Sequence, residues 1–172
     1  VRIVIVGSGG AGKSTLAIRL GECLRLPVVH LDQVFWQPGW KRMTFEEQDL
    51  LLGPLLAGDR WIIDGDHIRT QKRRMAQADT VIFMDYPRWR CLCRVVGRAI
   101  RHRKRARPGM NEGCHERINW ALLRWVWRYK NLERPQLIAN IAELDGKNVI
   151  VLKSDREVAG FVQGLVASLP HA

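Results

Sequence analysis

The stretch Gly7-Ser8-Gly9-Gly10-Ala11-Gly12-Lys13-Ser14, followed by Thr15, fits the pattern G-x-x-x-x-G-K-[ST]. Glycines allow a turn whose backbone N–H groups point inward, with no Cβ to keep a phosphate away. A β-branched apolar run, Arg2 to Val6, precedes the turn, and Leu16, Leu20 and Leu24 recur after it at helical spacing. A helix beginning near Lys13 adds free N–H groups and the positive end of its dipole. The Lys13 ammonium can then reach the β and γ phosphates, and the Ser14 hydroxyl can ligate Mg²⁺. The pattern predicts a site for a nucleoside triphosphate, held by Gly7, Gly9, Gly10, Ala11, Gly12, Lys13, Ser14 and Thr15. Whether the γ-phosphoryl group goes to water, to a small molecule or into mechanical work is left open by the motif.

Four carboxylates fall at predicted strand ends: Asp32, Asp64, Asp66 and Asp85. In open α/β sheets that edge is where ligands bind. Asp32 could accept a proton from an acceptor hydroxyl or join Ser14 in holding Mg²⁺. A strand-end Asp also serves as a helix cap or turn former, which weighs more for Asp66 and Asp85 than for Asp32. Trp36 and Trp40, in an irregular aromatic loop over 33–42, offer flat apolar walls to a base or an acceptor. Asp32, Trp36, Trp40, Asp64 and Arg69, the last on a short basic helix, are the candidate acceptor-binding residues. Trp120 and Trp127, seven apart on a helix, read as core.

Between Arg88 and Arg107 lie nine basic residues and no acidic one. Such a block needs an anionic partner or counterions, and polyphosphate, nucleic acid or an acidic membrane surface would each serve. Arg94, Arg98 and Arg101 share one helix face, and Arg101 and Arg103 enter a loop over about 101–115. Closure of that lid over a nucleotide would bring guanidinium groups to the phosphates and exclude water. Lys13, Asp32, Arg98 and Arg101 are thus the candidate catalytic residues, with Arg98 and Arg103 also touching the nucleotide. A solvated basic face is the plainer alternative, above all for Lys104 and Arg105.

The elements that must position these groups alternate. Strands are predicted at 2–6, 28–31, 60–64, 80–85 and 148–152, with helices from 13, 44, 68, 87, about 116 and 154 and a break at Pro135. That alternation predicts an α/β sheet of mostly parallel strands with helices on both faces. The 172 residues suit one domain, and 47% hydrophobic with 26% charged residues excludes a disordered or fibrous chain. Lys and Arg number 28 against 17 Asp and Glu, a net charge of +11. No apolar run approaches the ~20 residues of a membrane-spanning helix. The amino-terminal run meets a glycine turn with no cleavage site, so a mature cytoplasmic start is expected. Cys23, Cys91, Cys93 and Cys114 show no zinc-ribbon spacing and read as free thiols in a reducing cytosol.

The segments His30-Leu31-Asp32-x-x-Phe35-Trp36-x-Pro38-Gly39-Trp40, Trp61-Ile62-Ile63-Asp64-Gly65 and Asp79 to Arg88 resemble the bacterial topology modulation proteins, small relatives of adenylate and shikimate kinases. Arg107-Pro108-x-Met110-x-Glu112-Gly113-Cys114 and Leu123-Arg124-Trp125-Val126-Trp127 extend the likeness over nearly the whole chain. The resemblance implies a P-loop NTPase fold of the nucleoside-monophosphate-kinase kind, a three-layer sandwich with a five-stranded parallel sheet ordered 2-3-1-4-5. It also implies ATP with Mg²⁺, a lid after the fourth strand, and phosphate-facing arginines at Arg98 and Arg101. Asp66 and His67 stand where the family commonly carries Asn and Tyr. The expected protein is a monomeric or homodimeric small-molecule kinase acting on a nucleoside, nucleotide or hydroxy metabolite. A nucleic-acid-associated ATPase and a nucleotide-binding switch are the alternatives.

Overall fold

The computed structural model describes residues 1–102, 111, 113–114 and 118–168. The chain runs β1 (Arg2–Gly7), α1 (Lys13–Leu24), β2 (Val28–His30), α2 (Leu31–Phe35), β3 (Trp36–Gln37), β4 (Lys41–Arg42), α3 (Phe45–Ala57), β5 (Trp61–Asp64) and α4 (Ile68–Gln77). It continues through β6 (Thr80–Met84), α5 (Arg88–Arg101), α6 (Trp120–Leu132), α7 (Arg134–Ala142), β7 (Asn148–Leu152) and α8 (Asp155–Ser168).

Side chains alternate sides along a strand, so β1 feeds two cores. Ile3 and Ile5 pack with Leu16 and Leu20 of α1, Val95 of α5 and Val126 of α6, while α8 covers their edge through Val158 and Phe161. Val4 and Val6 pack with Phe35 of α2, Leu52 of α3, Met75 of α4 and Leu137 of α7. The result is three layers. The parallel sheet has the order β2-β5-β1-β6-β7. Counted among these five strands alone, that order is 2-3-1-4-5. Register sets Ile5 beside Asp64 and Gly7 beside Met84, so the end of β1 is braced on both edges.

Several local expectations are corrected. The second strand stops at His30, and Leu31 opens a helix, because Leu31 and Phe35 are four apart and both fully buried. Asp32 therefore sits in the first turn of α2 and does not end a strand. The aromatic loop is a small hairpin in which Trp36 pairs Arg42 and Gln37 pairs Lys41. Gly39 and Trp40 turn it with positive φ values of 79° and 62°. Trp120 and Trp127 do share a face, but it points outward, with exposures of 80% and 52%. The buried residues of α6 are Val126 and Tyr129. α5 includes Arg101, and α7 ends at Ala142. Most of the expected lid, with Arg103, Lys104, Arg105 and Arg107, lies outside the described residues. Among the described residues no helix is long and apolar enough to cross a membrane.

The turn between β5 and α4 is held by a fully buried arginine. Arg74 donates to Gly65 O at 3.0 Å, Asp66 O at 2.9 Å and Thr70 Oγ1 at 3.2 Å. Burial draws its pKa down to about 10, which leaves it a cation at neutral pH. Arg74→Met would strand these acceptors in the interior and should cost about 3 kcal/mol in urea unfolding. A loss below ~1 kcal/mol would show that the turn keeps its shape without the guanidinium.

Candidate functional site

Three of the eight described helix starts are sealed by side chains, those of α3, α6 and α8. Thr44 and Glu47 form a capping box on α3, and Asn119 Oδ1 accepts from Ala121 N and Leu122 N on α6. α1, like α4, α5 and α7, has neither a side-chain cap nor an acidic residue in its first turn, and it alone of these follows a turn built on Gly9, Gly10 and Gly12. Its first amide groups are therefore left for an anion supplied from outside. The preceding turn needs glycine most clearly at Gly10, where φ is +80° and a Cβ would come within 2.3 Å of Cys91 O. Lys13 Nζ donates to Gly7 O at 2.7 Å and Ser8 O at 3.0 Å, which keeps its charge over the loop.

Behind Ser14 stands Asp64, only 3% exposed. Ser14 Oγ donates to Asp64 Oδ2 at 2.7 Å, and Asp64 Oδ1 meets His30 Nδ1 at 2.5 Å. The carboxylate beside Ser14 is thus that of Asp64, whereas Asp32, expected with Ser14 at the metal, meets His67 Nε2 at 3.1 Å. Among the described residues no three His, Cys, Asp or Glu side chains gather as a metal site. Mg²⁺ needs no such cage, because one or two protein oxygens with phosphates and water complete its octahedron. The Ser14–Asp64 pair and the uncapped loop fit Mg²⁺ and a triphosphate.

Loop, strand ends and α5 enclose one cavity of about 1460 Å³. Arg90, Arg94, Arg98 and Arg101 line it from α5. Arg94 Nη1 reaches Ala11 O at 3.3 Å while its Nη2 donates to Asp155 Oδ1 at 2.5 Å. Arg90 and the Tyr86 hydroxyl also donate to Asp155, the first residue of α8. Arg94 holds the Asp155 carboxyl down at about 2, and burial pushes the Tyr86 phenol up to about 12.

Across the cavity, Asp32, Trp36, Trp40, Arg42 and His67 form another wall. His67 meets the Phe35 ring edge-on at 4.9 Å, and Trp36 and Trp40 pack edge-to-face at 5.6 Å. Arg42 lies over Trp36 at 6.0 Å and over Phe45 at 5.7 Å. Asn111 Nδ2 donates to Trp36 O at 2.6 Å and Cys114 Sγ to Gln37 O at 3.3 Å, so these two residues are fastened to this hairpin.

Asp66 completes the wall and is buried at 7% exposure. Its Oδ1 accepts from Gln71 Nε2 at 2.8 Å and from the Tyr129 hydroxyl at 3.4 Å. Burial raises its pKa to about 7, against the pull of the Lys13 charge, with Glu133 in hydrogen-bonding reach. Glu133 accepts in turn from Trp125 Nε1, and the Trp125 ring lies over Gly9, 3.0 Å from where a Cβ would stand.

The structure therefore gathers residues 9–15, Asp32, Trp36, Trp40, Arg98 and Arg101 around one space. Gly7 and Asp64 sit beneath it. Arg69 does not reach it: its guanidinium bonds Asp49 at 2.8 Å and Phe45 O at 3.0 Å, tying α4 to α3. Sequence reading missed His30, Glu133, Trp125, Tyr86 and Asp155. His30, Tyr86 and Trp125 fall in the segments that carry the family resemblance, and Glu133 and Asp155 are marked only by their place at a helix junction and a helix start.

No family model matches the chain, and no curated protein matches it either. Solved structures do. Shikimate kinase from Acinetobacter baumannii in complex with shikimate superposes with a TM-score of 0.61 at 17% identity, over 96% of this chain and 90% of that one. Shikimate kinase from Bacteroides thetaiotaomicron gives 0.59 at 16% identity, over 96% of each chain. Shikimate kinase from Aquifex aeolicus gives 0.54 at 16% identity, over 98% and 95%. This chain has the fold of the small P-loop kinases.

Asp66 has a measurable consequence for stability. In the folded chain it keeps its proton to about pH 7, whereas an unfolded Asp loses it near 3.8. The folded state binds more protons across that interval, so stability falls as pH rises from about 4 to 7. Asp66→Asn removes the slope and should gain about 4 kcal/mol over the parent between pH 4 and pH 8. Parallel urea midpoints in the two variants would show that carboxyl to be ordinary.

Proposed function

We propose that the chain is an ATP-dependent kinase that transfers the γ-phosphoryl group to a small-molecule acceptor. One observation carries this reading: the uncapped, glycine-built start of α1 and the Asp32–His67 pair open on the same cavity. A nucleotide-binding switch has no need of a carboxylate poised across from the phosphate loop.

Bound ATP·Mg²⁺ supplies a γ-phosphoryl group whose charge the metal shares. The amides of residues 9–15 and the Lys13 ammonium would hold its phosphates, and Ser14, backed by Asp64, would present a hydroxyl oxygen to Mg²⁺. Arg98 and Arg101 would face charge developing on the transferred group, with Arg103 from the segment beyond α5. Asp32 would accept the proton of an acceptor hydroxyl, and His67 at 3.1 Å would keep that carboxylate oriented. Trp36 and Trp40 would wall the acceptor.

The likeness to topology modulation proteins agrees with a kinase but names no acceptor. Four of the five arginines of α5 line the nucleotide cavity, and two of them are tied to Asp155, which favours a kinase over an ATPase spread along nucleic acid. The reading places the chain with the cytoplasmic nucleotide pool.

Calorimetry with ATP·Mg²⁺ tests the donor half. Lys13→Ala should weaken binding about 100-fold. Asp32→Asn should leave nucleotide affinity within about threefold while lowering turnover on a hydroxyl-acceptor panel by about 10²–10⁴. Unchanged affinity in Lys13→Ala would remove the basis of the proposal.

A further inference from the structure

We propose that the acceptor is a hydroxyl-bearing primary amine whose ammonium group is held between Asp66 and Glu133. This rests on the kinase reading above and adds the chemical class of its acceptor.

Charge in the cavity is divided across the phosphate loop. The guanidinium groups that line it from α5 follow β6, on one side of β1. On the other side stand Asp32 in the first turn of α2 and Asp66 just past β5, beside Arg42; Glu133 reaches in from the α6–α7 junction, and the fourth carboxylate, Asp155, is held by Arg90 and Arg94. A triphosphate matches the first side. The second offers three acids to whatever binds there.

Within that group one buried carboxylate oxygen has only another acid beside it. Asp66 Oδ2 is buried and finds no hydrogen-bond donor among the described residues, although Asp66 lies within bonding reach of Glu133. Two carboxylates bond each other only through a proton or a cation, and a buried acceptor left unmade costs about 1–3 kcal/mol. An ammonium supplies three donors and a positive charge to such a pair. Aromatic faces complete the chemistry that recognises organic cations. Trp125 donates to Glu133 and so lies beside the pair, while Trp36 and Trp40 line the cavity near Asp32.

Among the described residues, the cations that bear on Asp66, Lys13 and Arg74, spend their hydrogen bonds on main-chain and hydroxyl oxygens. Lys13 bonds Gly7 O and Ser8 O at the phosphate loop. Arg74 is occupied with the carbonyls of Gly65 and Asp66. Arg42 lies over the Trp36 and Phe45 rings. Asp66 also directly precedes His67, the partner of Asp32, and all three line the one cavity, so a single small molecule could offer an ammonium to Asp66 and a hydroxyl to Asp32. A compact amino alcohol or aminosugar carries both groups.

The test is calorimetric binding of matched sets, with and without a non-hydrolysable ATP analogue and Mg²⁺. Suitable sets are glucosamine against N-acetylglucosamine and glucose, and serinol against glycerol and glycerate. The amine of at least one set should bind about tenfold or more tightly than its neutral and anionic counterparts. That preference should fall to within about twofold in Glu133→Gln and in Asp66→Asn, each checked for a parent-like circular dichroism spectrum. Glu133→Gln suffices should Asp66→Asn fail to fold. Equal or tighter binding of the neutral or anionic members, no binding by any amine, or a preference that survives Glu133→Gln would overturn the assignment. An amine preference without ATP·Mg²⁺ binding would keep this site and discard the kinase reading. ATP·Mg²⁺ binding without the preference would do the reverse.

Discussion

Every helix must find acceptors for the amide groups of its first turn. α3, α6 and α8 do so with Thr44, Asn119 and Ser154. α1 is left open, and its surroundings keep it so. β1 ends between β5 and β6, which fixes where the turn begins. Gly10 presses so closely on Cys91 O that the turn and the first half of α5 share one position. Lys13 bonds loop carbonyls and leaves the amides clear. The arrangement is expensive for an isolated helix, and it is tolerated because the strand carrying it is buried on both faces.

The groups around that opening are held by a few polar links rather than by apolar packing. Asp155 gathers Arg90, Arg94 and Tyr86, so α8 helps to fix the arginine side of the cavity. Asp64 joins Ser14 to His30 and so couples α1 to the end of β2. Arg134 clasps both oxygens of Asp85 at 2.9 and 2.8 Å, which sets the α6–α7 junction and Glu133 against the end of β6. Each link crosses between secondary elements at the same sheet edge. The site is in effect the place where these elements are tied together.

The phosphate loop, the five sheet strands and most helices were legible because each leaves a local trace: glycines at fixed offsets, β-branched runs, a capping box. What was not legible depends on pairing at a distance. The type and place of Asp32 and Asp64 marked both as candidates. Only the register of β1 with β5 decides that Asp64 backs Ser14. Helical spacing put Trp120 and Trp127 on one face, but periodicity does not say which face turns inward, and Val126 and Tyr129 took the core. Arg69 looked like a ligand because of its charge, and it is occupied by Asp49 across a helix gap that no local pattern records.

Gly7 lies directly beside Met84 in the sheet, and a Cβ there would stand 2.5 Å from the Met84 carbonyl oxygen. The loop is therefore moulded against a strand made nearly eighty residues later. A ribosome releases the loop well before the strand that templates its shape. Closing so long a span before any contact can reward it slows assembly, as in parallel sheets generally. Until β6 arrives, the nascent chain carries the sequence of a nucleotide site without its form.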